Sequence, residues 1–192
     1  MKPMNMTRLE KRFVNDLGHS RCVAEHAVQR LRRLPVQPGS SYLDVGCGNG
    51  AAALLVADTF GLRVVGVDVD PEQIALARNA QGDRTNVDFV TADATCLPFE
   101  DGQFDLIATN KTTHHVPEWR RAIAEMRRAL KPGGYLVYAD LTAPSWLAWV
   151  LKPLARQAGV FTAADLDRGF ASLRQVYGRI GWLHYETVLQ KL

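Results

Sequence analysis

Tyr42-Leu43-Asp44-Val45-Gly46-Cys47-Gly48-Asn49-Gly50 is the stretch from which the rest of the chain can be read. A mostly apolar run, Tyr42 to Val45, meets three alternating glycines, and an alanine-rich run, Ala51 to Ala57, follows. This order predicts a buried strand that turns sharply into a helix. Glycine takes backbone angles that other residues resist, and without a β-carbon it lets a ligand lie against the main chain. The helix that follows aims its free N–H groups and dipole at the turn, which favours an anionic group or a polar ligand tail.

Gly46, Gly48 and Ala51 also satisfy the G-x-G-x-x-A form of a dinucleotide turn, with Asp68 at the roughly 20-residue distance of its ribose-binding acid. Spacing leaves both readings open. Asp44 separates them, because a carboxylate just before the loop repels a diphosphate and attracts a cationic amino group or sulfonium. Downstream, Val67-Asp68 and Asp93-Ala94 each set an acid at a predicted strand end. On these residues the chain resembles the class I S-adenosylmethionine-dependent methyltransferases, most closely the small-molecule branch that includes the ubiquinone/menaquinone-biosynthesis enzymes. The resemblance runs from about Ser41 to Asp140.

The resemblance implies S-adenosylmethionine as cofactor, S-adenosylhomocysteine as product, and in-line methyl transfer to a small-molecule acceptor. It implies that Asp44, Gly46, Gly48, Asn49 and Gly50 line the donor site and that Asp68 accepts from both ribose hydroxyls. Asp93 would accept from the adenine amino group, the Ala94 N–H would donate to a ring nitrogen, and Val69 would pack on the ring. The Asn110 carbonyl would receive the donor's amino group. Two other functions stand beside this one: an NAD-dependent reductase or nucleotide-sugar enzyme, and a non-catalytic S-adenosylmethionine-binding module. The first usually brings a substrate domain or a tyrosine-lysine pair after the fourth strand, and neither is read here.

In chain order, Thr7-Arg8-Leu9-Glu10 reads as a capping box for a helix stopped by Gly18, and Ser20 as the cap of a second helix with Val23, Ala27, Leu31 and Leu34 on its apolar face. Arg30, Arg32 and Arg33 fall on its exposed side. Arg63 to Val67 is a strand ending in Asp68, and Asp70-Pro71-Glu72-Gln73 opens a helix with a cap, a first-turn proline and a capping-box glutamine. Val87 to Thr91 and Phe104 to Thr109 are further strands. A helix from Pro117-Glu118 carries the stripe Trp119, Ile123, Met126, Leu130, with Glu125 set to pair with Arg121. Lys131-Pro132-Gly133-Gly134 turns the chain into a strand from Tyr135 to Leu141. A helix from Thr162 and a hairpin of Leu173–Tyr177 with His184–Leu189 around Gly178 to Gly181 close the chain. Strands alternating with helices and ending in a hairpin predict a doubly wound, Rossmann-like α/β fold, a mostly parallel seven-stranded sheet with a C-terminal antiparallel hairpin.

Residue number supports the same picture: 192 residues suit one domain. It divides into an N-terminal helical cap (1–40), a cofactor-binding core (41–141), an apolar insert or lid (142–161) and a closing helix and hairpin (162–192). Trp146, Leu147, Trp149, Val150, Leu151 and Leu154 crowd the insert, for which core packing, a lid over a lipophilic acceptor and a membrane-surface helix are the three readings. A lid would make the acceptor partly apolar. The formal charge is only +3, and its basic residues are spread over several predicted helices rather than gathered on one face, which argues against nucleic acid. No apolar run reaches the ~18 residues of a membrane span. Residues 1–6 lack the apolar core of a signal peptide, so a cytoplasmic location is expected. Cys22, Cys47 and Cys96 show neither disulfide nor zinc spacing, and Cys47 meets a demand for a small side chain between glycines. The remaining chemistry lies in Asn110-Lys111-Thr112-Thr113-His114-His115-Val116-Pro117. Adjacent histidines rarely converge on one metal ion, so no metal is expected. Either imidazole can take a proton near neutral pH. His114 is the freer side chain in this reading, while the resemblance favours His115 as the matched catalytic position.

Overall fold

The computed structural model describes residues 15–144, 147, 161–181 and 183–192. The helix expected from Thr7 and the insert's Trp146 and Trp149 lie outside them. The chain divides into two compact units, Met1–Asp93 and Ala94–Leu192.

In the first unit, β1 (Ser41–Val45), β2 (Arg63–Asp68) and β3 (Val87–Thr91) are parallel, in the order β3-β2-β1. Val45 stands opposite Val67, and Asp68 opposite Thr91. Parallel neighbours need crossover connections, here the helices α2 (Ala51–Phe60) and α3 (Pro71–Gln81). The glycine turn forms as expected: Gly46, Gly48 and Gly50 have φ of 77, 54 and 80°. At Gly50 a side chain is excluded twice over, since a β-carbon would stand 2.7 Å from the Phe89 ring and 2.8 Å from Ala77. Asp70 caps α3 by accepting from the Glu72 N–H at 3.0 Å.

Ahead of this sheet, α1 (Leu17–Leu31) buries Ala24, Val28 and Leu31 and packs on α2. The sequence expectation of a break at Gly18 and a cap at Ser20 is corrected here. Asp16 is the cap, accepting from the His19 N–H at 3.1 Å, and the helix runs through Gly18. The Ser20 hydroxyl instead accepts a hydrogen bond from Asn49 Nδ2 at 2.9 Å.

The second unit holds β4 (Phe104–Asn110), a short 3-10 turn (Thr113–His115), α3's successor α4 (Trp119–Ala129), β5 (Leu130–Leu141), α5 (Ala163–Gly169), β6 (Leu173–Ile180) and β7 (His184–Lys191). β4 and β5 are parallel, and β7 runs antiparallel to both β5 and β6. The seven-stranded sheet has the order β3-β2-β1-β4-β5-β7-β6, mostly parallel with an antiparallel C-terminal pair, as the sequence predicts.

Trp119, Ile123 and Met126 are buried as their helical spacing requires, whereas Leu130, expected on the same stripe, is buried as the first residue of β5. Glu125 departs from expectation: it binds Arg128 at 2.9 Å and accepts the Leu97 N–H at 2.9 Å. Arg128 also reaches the Phe99 carbonyl at 2.7 Å and Asp101 at 2.8 Å, so it ties the segment before β4 to α4. β5 also begins earlier than predicted. Leu130 already pairs with Phe104, and a register shift before Leu106↔Tyr135 absorbs Lys131–Gly134. In the closing hairpin β6 runs through Gly178 to Ile180, and the Gly181 N–H closes the turn on the His184 carbonyl at 2.7 Å. The two ends of the insert are held together, because the Ala143 N–H donates to the Phe161 carbonyl at 3.0 Å. Phe161 is buried against Trp119, with ring centroids 5.0 Å apart.

Candidate active site

In open α/β sheets ligands bind beyond the C-terminal ends of the strands, and the first unit gathers its carboxylates there. Asp68 ends β2. Its Oδ2 accepts the Gly48 N–H and its Oδ1 the Asp70 N–H, both at 2.9 Å, so the acid pins the glycine turn. Asp44, one residue before the end of β1, is 6% exposed. Burial first, then the charge of Asp68, push its carboxyl up to about 7. Burial also raises Asp68, against the pull of the Asp70, Gly48 and Val69 N–H groups. Among the described residues no cation offsets either charge. Burial raises the Cys47 thiol as well, with Asp44 and Asp68 adding to it, which makes this cysteine a poor nucleophile.

The folded chain holds the Asp44 proton up to about 7, whereas the unfolded chain releases it near 3.8. The folded state therefore binds more protons between those values, and stability is lost as pH rises through the upper one. That loss is on the order of 4 kcal/mol at most, spread over Asp44 and Asp68 as a coupled pair. The melting temperature of the ligand-free protein should fall between about pH 4 and about pH 7 and level off above that, and Asp44→Asn should flatten the fall. Equal slopes in parent and variant would remove Asp44 as the titrating group. A cationic ligand group beside Asp44 acts oppositely, drawing the carboxyl into its charged form.

Asn49 joins α1 to the turn through Ser20 and accepts the Ala51 N–H at 3.3 Å, helping to cap α2. Gln73 does not form the reciprocal half of a capping box. It is 3% exposed, its side-chain oxygen has no hydrogen-bond partner among the described residues, and it lies 3.8 Å from where a β-carbon on Gly48 would stand. A buried acceptor without a donor, facing the glycine turn, suits a ligand that brings one.

The second unit builds a different constellation at the end of β4. Lys111 has φ 52°, the one positive value among the described non-glycine residues, and its N–H donates to the Ala139 carbonyl at 2.8 Å. The 3-10 turn then brings Thr113 and His114 to Asp140, which has no solvent exposure. Asp140 Oδ2 accepts from the Thr113 N–H at 2.7 Å, the Thr113 hydroxyl at 2.5 Å and the His114 N–H at 3.3 Å. Its Oδ1 accepts from the Leu141 N–H at 2.7 Å and lies 2.5 Å from His114 Nδ1. The Tyr138 hydroxyl makes a short bond to Thr113 Oγ1, and burial, then Asp140's charge, raise it above the ordinary phenol range. The His115 N–H donates to the Thr112 carbonyl at 3.0 Å, and its ring lies 3.9 Å from that of His114, centroid to centroid. The Asn110 carbonyl accepts from the Thr112 hydroxyl at 3.2 Å.

Residues 43–138 match the methyltransferase domain family. The chain belongs to that family. Its curated relatives include a 2-methyl-6-phytyl-1,4-hydroquinone methyltransferase from Synechocystis sp., 36% identical over 103 residues, 54% of this chain and 32% of that protein. A demethylmenaquinone methyltransferase from Renibacterium salmoninarum is 37% identical over 123 residues, 62% of this chain and 50% of that one. Among solved structures, a SAM-dependent methyltransferase from Methanosarcina mazei aligns with a TM-score of 0.70 at 25% identity, over 82% of this chain and 94% of that one. The chain thus spans between a third and a half of the length of the two curated relatives.

This is a class I methyltransferase domain with S-adenosylmethionine as its cofactor, as the sequence reading has it. Of the residues expected to hold that cofactor, the first unit brings Asp44, Gly46, Gly48, Asn49, Gly50, Asp68 and Val69 to the ends of β1 and β2. Asp93 follows β3, where the Ala92 N–H donates to the Asp68 carbonyl at 2.9 Å. Ala94 and Asn110 belong to the second unit, with His114 and His115. Gln73, Thr113, Tyr138 and Asp140 join the two constellations through tertiary contacts that no sequence motif marks. Among the described residues no group of three or more His, Cys, Asp or Glu side chains is placed to hold a metal ion, and no helix is long and apolar enough to cross a membrane.

Proposed function

We propose that this chain transfers a methyl group from S-adenosylmethionine to a small acceptor with an apolar part. The observation that carries the reading is the pair of buried carboxylates, Asp44 and Asp68, at a glycine turn and with no cation among the described residues to offset them. A ligand with a cationic amino group and sulfonium and a ribose diol supplies what such a site needs: positive charge for Asp44 and hydroxyl donors for Asp68. Gly46, Gly48, Asn49 and Gly50 would line that ligand, with Val69, Asp93 and Ala94 at its adenine and Asn110 at its amino group, as the family resemblance implies. The donor supplies an activated methyl: as the acceptor's electron pair forms the new bond to carbon, the carbon–sulfur pair returns to sulfur. The residues' part is then to hold the acceptor close and in line, exclude water and take its proton. One of His114 and His115 is the group proposed for that proton.

Two relatives are named for a phytyl hydroquinone and for demethylmenaquinone, and these names support an acceptor with a quinone or hydroquinone ring and an apolar portion. Titration with S-adenosylmethionine, S-adenosylhomocysteine and NAD, then turnover on a panel of hydroquinones, tests the proposal. Both sulfur ligands should raise the melting temperature and NAD should not. A preference for NAD would sink the reading, and tight donor binding with no turnover on any acceptor would favour a binding module.

A further inference from the structure

We infer that Asp140 is a positioning residue that selects His114 as the base, holding its ring with Nδ1 protonated and Nε2 as the proton acceptor. The inference rests on the methyl-transfer reading above and adds the identity and tautomer of the group that takes the acceptor's proton.

Asp140 is fully buried on β5, and its neighbours surround it with donors. The Thr113 and His114 N–H groups fix the turn onto Oδ2, and the Leu141 N–H fixes the carboxylate's own orientation. The Thr113 hydroxyl gives its proton to Oδ2, so the short bond with Tyr138 has Tyr138 as donor. Hydrogen bonds therefore run in one direction, from Tyr138 through Thr113 to the carboxylate. The remaining partner, at Oδ1, is His114 Nδ1. A carboxylate only accepts, so Nδ1 carries the hydrogen, and a neutral imidazole with its hydrogen on Nδ1 has its lone pair on Nε2. The ring keeps 23% of its side-chain surface exposed while Asp140 has none.

Two features argue for more than packing. An apolar residue often serves a buried strand position at least as well as a buried charge does. In addition, Lys111 holds a left-handed backbone conformation that a non-glycine residue rarely adopts, and strain of this kind gathers at functional sites. That residue lies directly between β4 and the turn that carries Thr113 and His114. In the reaction the acceptor's O–H, N–H or C–H proton passes to Nε2 as its electron pair forms the bond to the methyl carbon. The carbon–sulfur pair goes to sulfur, which leaves as a neutral thioether. The imidazolium, its Nδ1–H still on Asp140, then returns the proton to water.

Proton–nitrogen correlation spectra of histidine-labelled protein read the tautomer without any acceptor, with His114→Gln and His115→Gln used for assignment. Neutral His114 should be in the Nδ1–H form in the parent and lose that preference in Asp140→Asn. An Nε2–H form in the parent, or a ring unaffected by Asp140→Asn, overturns the assignment. If Asp140→Asn does not fold, the parent spectrum decides the tautomer and Asp140→Glu supplies the perturbation. With naphthohydroquinone as probe acceptor, Asp140→Asn should lower kcat by at least ~10-fold with S-adenosylhomocysteine affinity nearly unchanged. An Nδ1–H ring together with parent-like turnover in His114→Gln would leave the methyl-transfer reading standing and remove His114 as its base. Loss of donor binding in the parent itself would instead strike the methyl-transfer reading.

Discussion

His114→Gln should lower turnover by roughly 100- to 10,000-fold while S-adenosylhomocysteine affinity stays within a few-fold of the parent. Glutamine preserves much of the ring's volume and a donor for Asp140 Oδ1, but it has no group that takes a proton near neutral pH. Donor affinity should survive because the residues proposed for the donor's adenosine end lie on other strands. His115→Gln should cost only a few-fold, since the carboxylate bond goes to the His114 ring. The Asp140 contact thus favours His114 over His115, the position that the resemblance favoured. Measuring kcat and binding separately for both variants, on one identified acceptor, decides the matter. If both keep turnover within a few-fold of the parent, there is no imidazole base and rate rests on proximity and desolvation alone.

Asp68→Ala should weaken S-adenosylhomocysteine binding by at least about tenfold. Two ribose hydroxyls donating to this carboxylate would each contribute about 1.5 to 3 kcal/mol. The carboxylate also holds the Gly48 N–H and the Asp70 N–H, so its loss loosens the glycine turn and the entry to α3 together. Stability should change less than affinity, because the variant also sheds a buried charge that burial already disfavours. Asp68→Asn separates the two effects, as its amide oxygen can keep one of the backbone bonds without the charge. Calorimetric titration of folded Asp68→Ala with parent-like affinity would falsify the ribose role.

What could be read from sequence was what short-range chemistry decides. Gly46, Gly48 and Gly50 sit where only a left-handed backbone completes the turn, and Asp70-Pro71 starts α3 with groups two residues apart. The stripe Trp119, Ile123 and Met126 follows from helical period alone, and the parallel part of the sheet follows from strands that alternate with helices. Where two local partners competed, only the tertiary structure chose. Ser20, read as the cap of α1, instead accepts from Asn49, 29 residues away, and Asp16 caps the helix. Glu125 had arginines on either side, and the segment holding Leu97, 28 residues upstream, favoured Arg128. Asp140 could be read only as an oddity, an acid in the apolar run Tyr135 to Leu141 that needs donors if buried. Apart from the adjacent Leu141 N–H, its donors come from a turn 26 to 27 residues earlier in the chain, brought to it by the parallel pairing of β4 with β5 and by the backbone reversal at Lys111. Sequence spacing carries no record of such a meeting, because register between strands, not separation along the chain, sets which side chains touch.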